Sequence, residues 1–442
     1  MKPVKVGMLG FGTVGCGTFM VLRRNQEEIR RRAGRNVQVA KIAIRNQKKV
    51  ISSFGKVLDS VEITNDFNSV VDDPLISIVA EMIGGTDIAR DLVLRAIENS
   101  KHVVTANKAL LAVHGTEIFK AAHKKGVIVA FEAAVAGGIP IIKALREGLT
   151  ANRIQYIAGI INGTTNYILS EMSKRNLNFG TALAAAKKLG YAETDPTFDI
   201  DGIDAAHKMT IMSAIAFGIP VQFNSAYIEG ISKLDIIDMH YAEELGYRIK
   251  LLGITRRAKY GIELRVHPTL ILEKRLLAIV DGVMNAIVVH ADVVGTTLYY
   301  GKGAGAEATA SSVIADIIDI TRLHAANPRY HVPYLAFQPD CLSDIPILPI
   351  DEVMSAYYLR IPVSDEIGVL ADITRILADS TISIDILLQK KSDQIKNINI
   401  ETDIIIITHV TLEKHLNAAI IRIENLKTVT TKVTKIRIEA LD

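Results

Sequence analysis

Hydrophobic and polar positions follow two alternating patterns along the first 130 or so residues of the chain. Short runs rich in β-branched residues, at 4–9, 37–44, 76–82, 102–105 and 127–131, predict buried strands. Amphipathic stretches at 87–98 and 116–125 predict helices between them. Strands that alternate with helices are typical of a parallel sheet covered by helices on both faces. We therefore expect residues 1–140 to form an α/β domain.

The pattern changes twice after this point. Residues 141–305 mix predicted helices, at 182–189 and 205–217, with predicted strands at 262–266 and 278–283, which indicates an α+β domain. A helical pattern that starts at 306 and extends to about 330 is expected to return to the first domain. Four prolines in 331–350 predict a linker: Pro333, Pro339, Pro346 and Pro349.

Residues 351–442 carry a complete pattern of their own. Strands are predicted at 357–363, 382–389, 403–410 and 432–438, and helices at 369–378 and 412–426. The resulting order, strand–helix–strand–strand–helix–strand, is the ferredoxin-like arrangement. We expect this part to be a separable unit that can be deleted without loss of the rest.

Composition narrows the class of protein. A chain of 442 residues, 49% hydrophobic and 22% charged, has room for about three globular domains. The formal net charge of +3 argues against a dedicated nucleic-acid-binding protein. No apolar run reaches the ~18 residues of a membrane span, and the N-terminus lacks a signal-peptide pattern, so we expect a cytoplasmic protein. Two cysteines, Cys16 and Cys341, provide neither a disulfide framework nor a zinc site.

A glycine-rich motif follows the first predicted strand and opens the first helix. Its six residues are Gly10, Phe11, Gly12, Thr13, Val14 and Gly15. In this position the glycines allow a tight turn, approach of a pyrophosphate and close packing of the helix. The first domain is therefore predicted to be Rossmann-type and to bind a dinucleotide.

The residues at the end of the second strand indicate which nicotinamide cofactor the chain binds. NAD-specific enzymes of this type place an acidic residue there, but this strand ends Ile44-Arg45-Asn46, with Lys48 and Lys49 following. A cation at this point suits a 2′-phosphate, so Arg45 predicts NADP, with NAD possible. The alternative is that Arg45 only solvates a loop.

Two lysines are candidates for proton transfer. Lys108 follows the predicted strand 102–105, and ligands of open α/β sheets bind at such carboxyl ends. Lys208 lies four residues after Asp204 on a predicted helix, so both side chains share one face. Oxidation of an alcohol needs a group that takes the hydroxyl proton, which a lysine oriented by Asp204 can do. An ordinary ion pair on a helix surface remains the alternative.

The segment 186–208 resembles the signature of the homoserine dehydrogenase family. The matching residues are Gly190, Asp195, Pro196, Gly202, Asp204 and Lys208. Further similar stretches are 10–15, 105–108, 131–140, 162–167 and 301–305. The resemblance implies reversible, NAD(P)-dependent interconversion of L-homoserine and L-aspartate 4-semialdehyde, a step of threonine, methionine and isoleucine biosynthesis.

The same resemblance implies roles for single residues. Lys208 would be the proton donor or acceptor and Lys108 a second active-site lysine. Glu193 and Asp204 would bind the ammonium and hydroxyl of the substrate, with Asp199 in support. Gly190 and Gly303 would lie against the nicotinamide. We also expect a homodimer or homotetramer.

A sodium ion is implied in the hinge after the last strand of the first domain. Its ligands would be Glu132 and the backbone carbonyls of Val135, Gly137 and Ile139, an all-oxygen set that suits a hard cation. We expect the ion to be structural. The alternative is a plain strand-to-helix turn.

The C-terminal pattern resembles an ACT regulatory domain. Its first turn contains Asp365, Gly368, Val369 and Leu370, with Ile367 in place of the usual proline. The resemblance implies an amino-acid effector, and we expect L-threonine. The alternative is a dimerisation module without a ligand.

Two other functions compete with this interpretation. A phosphorylating aldehyde dehydrogenase would need a cysteine nucleophile, and no cysteine lies between Cys16 and Cys341. A non-catalytic, amino-acid-sensing ACT protein with a nucleotide-binding domain would leave the segment around Lys208 without a purpose.

Overall fold

The computed structural model describes residues 2–47, 54–323, 331–390 and 401–441. Lys48, Lys49 and the predicted end of the returning helix, 324–330, lie outside these described residues.

The N-terminal unit contains a six-stranded, all-parallel sheet in the order β3-β2-β1-β4-β5-β6. Its strands are β1 (Val4–Leu9), β2 (Val37–Ala43), β3 (Glu62–Thr64), β4 (Ile78–Glu81), β5 (His102–Thr105) and β6 (Val129–Ala130). Its helices are α1 (Thr13–Arg24), α2 (Gln26–Ala33), α3 (Asn68–Val71), α4 (Asp87–Glu98) and α5 (Lys108–Lys125). This strand order is that of the doubly wound dinucleotide-binding fold, so the Rossmann-type prediction is confirmed. Helix α5 starts at Lys108, earlier than the predicted 116, because Asn107 caps it there with its side chain.

The middle unit is a mixed α+β structure. Its strands are β7 (Ile154–Ile160), β8 (Tyr227–Ile228), β9 (Tyr247–Arg257), β10 (Ile262–Leu272), β11 (Met284–Ala291) and β12 (Gly295–Lys302). Its helices are α6 (Ile141–Lys143), α7 (Gly163–Arg175), α8 (Phe179–Lys188), α9 (Thr197–Ile200), α10 (Ile203–Phe217) and α11 (Ile236–Glu244). Helix α10 is buried along nearly its whole length, where it contacts α5 and strands β9 and β10.

One predicted strand of this unit is wrong. Residues 278–283 form a turn, and the strand begins at Met284. The apolar pattern that suggested a strand has another cause, because Ala278 and Val280 are buried in a small cluster against the sheet.

Helix α12 (Ala306–Leu323) returns to the N-terminal unit, as expected. Its apolar side chains share one core with β1, β2 and α1. At the start of α12, a Cβ atom on Gly17 would come within 2.5 Å of the Ala306 carbonyl oxygen, so glycine is required for this close approach.

The C-terminal unit has the predicted ferredoxin-like topology. Its strands are β13 (Met354–Ser364), β14 (Ile384–Gln389), β15 (Glu401–Thr408), β16 (Thr411–Leu412) and β17 (Thr434–Ile438). Helices α13 (Val369–Asp379) and α14 (Glu413–Glu424) pack against each other over the sheet, whose order is β17-β13-β15-β14.

The expectation that this unit is separable is contradicted by the sheet. Strand β17 pairs in parallel with β10, Thr269 facing Arg437 and Leu270 facing Ile438, so the two units share one eleven-stranded sheet. The proline-rich segment is also tied to the middle unit, because the Ile262 amide donates to the Pro346 carbonyl at 2.9 Å. Deleting 351–442 would expose a sheet edge that is paired in the intact chain.

Within the part of the chain that the structure describes, no helix is both long enough and apolar enough to span a membrane.

Candidate active site

The glycine-rich turn after β1 is shaped for close approach of a ligand. Gly10 has φ +98°, and a Cβ there would come within 2.7 Å of the Met82 carbonyl oxygen. Gly12 caps α1 without a side-chain hydrogen bond and has open space around it. The first amides of α1 are therefore directed toward a free position, as in a pyrophosphate site. Phe11 is buried against Phe19 and Phe54, which fixes the turn to the core.

A cavity of about 490 Å³ opens beside this turn. It is lined by Val14, Met82, Ile83, Gly84, Gly85, Ala106, Asn107, Lys108, Ala109 and Phe198. Most of these residues follow β4 and β5, so the cavity lies at the carboxyl ends of the parallel strands. Arg45 is exposed just after β2, and β2 pairs with β1 through Leu9 and Ala43.

A buried carboxylate organises one wall of the cavity. Glu81 accepts hydrogen bonds from the Ile83 amide at 2.9 Å and from the Thr105 hydroxyl at 2.6 Å. Burial raises the pKa of Glu81 against the opposing effect of these donors. Asn107 donates to the Gly85 carbonyl at 2.7 Å, so the loops after β4 and β5 are held together. This network sets the position of Lys108, the next residue.

Asp204 lies at the centre of a polar cluster, the Asp204 cluster, which contains Lys108, Lys208 and Asn162 and has Phe198 beside it. Its Oδ1 lies 3.2 Å from the Lys108 ammonium, and its Oδ2 lies 2.7 Å from the Lys208 ammonium. Asn162 donates to the same Oδ2 at 2.8 Å. Burial alone would raise the pKa of Asp204, but the two ammonium groups and the Asn162 amide lower it well below its ordinary value. Asp204 is therefore an ionised group shared by two lysines.

Lys208 is held by two acceptors. Its ammonium donates to Asp204 and to the Ile161 carbonyl, both at 2.7 Å, and the residue is 9% exposed. An ammonium has three donors, so one direction remains for a further partner. Lys108 is more accessible, with a third of its side chain exposed and its ammonium 5.8 Å from the Phe198 ring centre.

Asn162 joins the second carboxylate to this cluster. It caps α7 through its side-chain oxygen, and its amide nitrogen donates to Asp199 at 2.7 Å as well as to Asp204. Burial and the neighbouring charge of Asp204 raise the pKa of Asp199. The sequence pattern did not single out Asn162 for this role. The available signal was an Asn-Gly-Thr-Thr cap directly after an apolar strand.

His207 also borders the cluster and was not predicted. Its ring lies between Phe198 and Phe223, 5.3 and 4.3 Å from their ring centres. Burial and the charge of Lys108 lower the pKa of His207 to about 4, so the ring is neutral near pH 7. His207 therefore places an uncharged ring beside the charged cluster.

Three predicted residues lie outside the Asp204 cluster. Glu193 is exposed in the loop before α9. Gly190 adopts φ +75° at the end of α8 and faces open space, so its local role is to end that helix. Gly303 packs against the buried Asn285 side chain, where a Cβ would come within 1.8 Å of Nδ2.

The predicted sodium ligands form a buried hinge. The two carboxylate oxygens of Glu132 accept the amides of Ile142 and Lys143 at 2.9 and 2.8 Å, which caps α6. The Gly137 carbonyl accepts the Ser312 hydroxyl at 2.6 Å, and the Ile139 carbonyl accepts the Ile141 amide at 2.8 Å. The hinge is thus hydrogen-bonded within the chain, and its oxygens retain further lone pairs.

Comparison with known proteins assigns the family. Residues 140–318 match the family model for homoserine dehydrogenase, and residues 10–132 match that for the homoserine dehydrogenase NAD-binding domain. The homoserine dehydrogenase of Pseudomonas aeruginosa is 57% identical over 442 residues, and the alignment covers 100% of both chains. The chain belongs to the homoserine dehydrogenase family.

Solved structures agree with this assignment. A homoserine dehydrogenase from Thiobacillus denitrificans has 63% sequence identity and a TM-score of 0.94, with 99% of each chain covered. A hyperthermophilic archaeal homoserine dehydrogenase in complex with NADPH is 28% identical with a TM-score of 0.63, and it covers 74% of this chain and 100% of its own.

The predicted activity is therefore confirmed at the level of the family. The chain is a homoserine dehydrogenase, an oxidoreductase with a nicotinamide-binding domain, and the alternative of a non-catalytic amino-acid sensor is set aside. The two family matches cover residues 10–132 and 140–318, so neither includes the C-terminal unit.

Proposed function

We propose that this homoserine dehydrogenase transfers the reacting proton through Lys208 and uses NADP in preference to NAD. The observation that carries the proton assignment is the fixed Lys208 ammonium, which has Asp204 and the Ile161 carbonyl on two sides and one direction left for a substrate oxygen. The resemblance of the segment around Lys208 to the family signature supports the same residue.

In the oxidation direction, Lys208 in its neutral amine form accepts the proton of the homoserine hydroxyl as the C–H bond is broken, and it becomes the ammonium. In the reverse direction the ammonium donates this proton to the aldehyde oxygen. When bound, the nicotinamide cofactor supplies the hydride acceptor, or the hydride donor in the reverse direction. Asp204 keeps Lys208 oriented and balances the charge of Lys108. Lys108 is the second lysine at the reacting carbon. Asp199 and, from the exposed loop before α9, Glu193 are the proposed ligands of the substrate's ammonium group.

The glycine-rich turn and the cavity beside it leave room for a nicotinamide cofactor. The turn from Gly10 to Gly15 would hold the pyrophosphate, and the 490 Å³ cavity beside Val14 would hold the nicotinamide half. Gly190 and Gly303 are further proposed contacts of the nicotinamide.

The preference for NADP rests on Arg45. The residue is exposed at the carboxyl end of β2, where it can pair with a 2′-phosphate. The archaeal relative was solved with NADPH, which supports the same phosphate-bearing cofactor for this chain.

The first prediction concerns this preference. Arg45→Glu should weaken NADPH binding by about 1.5–3 kcal/mol, the range for a hydrogen bond to a charged group, and leave NADH binding little changed. The measurement is the NADPH- and NADH-dependent reduction of L-aspartate 4-semialdehyde, followed by absorbance. Arg30→Glu, an exposed arginine of the same domain on α2, serves as the matched control. Equal losses for both cofactors, or none for either, would remove Arg45 from the site.

We further propose a structural sodium ion at the hinge, held by Glu132 and the carbonyls of Val135, Gly137 and Ile139. The donor set contains oxygen only, and burial raises the pKa of Glu132, so a cation beside its carboxylate would be stabilising. No step of the reaction depends on this ion.

The second prediction tests the ion by stability. The thermal unfolding midpoint should be higher in NaCl than in choline chloride at equal ionic strength, because a ligand that binds only the folded state stabilises it. Glu132→Gln should abolish the difference between the salts. Equal midpoints in both salts for the unaltered enzyme would contradict the proposal.

We propose that the C-terminal unit is an ACT domain that binds L-threonine. A cavity of about 480 Å³ lies at its first strand-to-helix turn and is lined by Asp365, Gly368, Val369, Leu370 and neighbouring residues. The amides at the start of α13 suit an amino-acid carboxylate, and Asp365 suits its ammonium group.

The third prediction follows from this pocket. Calorimetry should detect threonine binding, and millimolar threonine should inhibit the enzyme. Asp365→Ala should remove both effects without changing uninhibited kcat, whereas Asp379→Ala, at the opposite end of α13, should remove neither. Absence of binding in the unaltered enzyme would leave the unit purely structural.

We also propose a homodimer or homotetramer in the cytoplasm. Strand β12 forms one edge of the large sheet and exposes Leu298 and Tyr300, a surface suited to a second copy. Both cysteines are free, which suits a reducing compartment.

A further inference from the structure

We infer that Arg437, on the last strand of the C-terminal unit, is a positioning residue for the active site of the middle unit. It acts through residues 226–231, which we term the strap, and through residues 199–202, the end of α9 and the bend before α10, which we term the turn. The inference rests on the proposed roles of Asp199 and Asp204. It identifies the contacts that hold the backbone of this segment in place.

Arg437 is a buried cation shared between the two units. Its guanidinium donates to Glu413 of its own unit at 2.8 Å and to Glu229 of the strap at 2.9 Å. It also donates to the Tyr227 hydroxyl at 3.1 Å and lies 4.7 Å from the centre of that ring. The side chain of Arg437 is 1% exposed, so these contacts are made away from bulk water, where each is strong.

The strap is held in register by the same elements. Tyr227 and Ile228 pair in parallel with Arg265 and Val266 of β10, and the Glu229 amide donates to the Val266 carbonyl at 2.8 Å. Tyr227 itself donates to Glu229 at 2.8 Å, so Arg437 binds both of these side chains at once. A two-residue strand attaches the strap to β10, Ile228 and Ile231 attach it to the hydrophobic core, and Arg437 attaches its polar side chains to the C-terminal unit.

The other side of the strap supports the turn before α10. A Cβ on Gly230 would lie 2.3 Å from the Ile200 carbonyl oxygen and 2.6 Å from the Asp201 Cα, so the two backbones are in direct contact. The Ile231 amide donates to the Ile200 carbonyl at 2.9 Å. A movement of the strap must therefore move the turn.

The turn carries the site. Asp199 lies at its start, and Gly202, at φ +84°, passes the chain into α10 two residues before Asp204. A Cβ on Gly202 would lie 3.3 Å from the Ile228 side chain, so the strap also packs at the point where α10 begins. Displacement of this point changes the placement of both carboxylates relative to Asn162 and Lys208.

The experiment uses the full-length enzyme and compares substitutions in the strap with substitutions of Arg437. Glu229→Gln and Tyr227→Phe remove contacts to Arg437 from the strap side, and Arg437→Lys and Arg437→Met remove them from the C-terminal unit. Arg360→Met is the matched control, because Arg360 also joins the units through a buried pair, with Asp238 of α11 at 2.7 Å, but does not touch the strap. The readouts are KM for homoserine, kcat, the NADPH dissociation constant by fluorescence, and the urea midpoint.

We expect Glu229→Gln and Arg437→Met to raise the KM for homoserine by roughly tenfold, the scale of a sub-ångström displacement at a site, with NADPH binding unchanged. Arg437→Lys should recover part of the loss. The double variant Glu229→Gln/Arg437→Met should raise the KM for homoserine by less than the two single effects combined, because both substitutions remove the same contact. Arg360→Met should lower the urea midpoint without this rise in KM. Since Arg437→Met removes one of the two cations that pair with the buried Glu413 and leaves only Lys435, Glu229→Gln and Tyr227→Phe provide the test should that protein fail to fold.

Two results would overturn the inference: an unchanged KM in the strap variants, or an equal rise in Arg360→Met, which would indicate general loosening. Failure of the proposed function is distinguishable, because it would appear as full activity of a Lys208 variant whatever the strap variants do.

Discussion

Replacing Lys208 with alanine should lower kcat by about 10² or more in both directions, the scale of general acid–base catalysis. The reason is geometric: the Lys208 ammonium is held between the Asp204 carboxylate and the Ile161 carbonyl, with one direction left for a substrate oxygen. NADPH binding should be nearly unchanged, because the lysine lies on α10 and not on the glycine-rich turn. Steady-state kinetics and a fluorescence titration with NADPH measure the two quantities.

Lys187→Ala is the control for this prediction. Lys187 lies in the same signature segment, but it is exposed and donates to the Thr194 carbonyl. Its replacement should leave kcat within a factor of two or so. A Lys208 effect confined to KM would assign that lysine to substrate binding, and Lys108→Ala would then be expected to show the loss in kcat.

Replacing Asp204 with asparagine should lower both activity and the free energy of unfolding. Asp204 is the shared partner of two lysines, and removing one partner of a buried pair costs about 3–5 kcal/mol because the remaining charge stays unpaired. Urea unfolding measures the loss. Asp195→Asn, an exposed acid in the loop before α9, should have little effect on either quantity.

The stability difference between Asp204→Asn and the unaltered enzyme should depend on pH. Since the lysines and Asn162 lower the pKa of Asp204 in the folded state, its contribution is fully present above the unfolded-state pKa of about 4 and is lost as pH falls below that value. The two proteins should therefore converge in acid. A constant difference from pH 7 to pH 3 would show that the ionised carboxylate is not the stabilising form.

The sequence predicts part of this site because two of its residues are close along the chain. Asp204 and Lys208 are one helical turn apart, so their pairing follows from the 3.6-residue period. Asn162 and the Ile161 carbonyl lie 42 and 47 residues from their partners, and no local pattern relates such positions. Glu193 is predicted through the family resemblance alone, and its exposure, which the sequence does not reveal, distinguishes it from the buried Asp204.

The fold, like the site, was predictable where it depends on local sequence patterns and not where it depends on distant residues. The parallel order of the first sheet follows from strand–helix alternation, and glycine placement fixes its first turn. Strand β9 was not predicted, because its centre is buried on both faces and therefore lacks the alternation that marks a half-buried strand. The pairing of β17 with β10 rests on two residue pairs that are distant in sequence, which no periodicity encodes.

That pairing ties the order of assembly to the order of synthesis. Arg265 of β10 is 1% exposed and bonds to Glu439 at 2.6 Å, yet Glu439 follows it by 174 residues. During translation this guanidinium has only its local partner Glu263 until nearly all of the chain has been made, and burial with one of its two acids missing is costly. We therefore expect this part of the middle unit to complete its core late, together with the C-terminal unit.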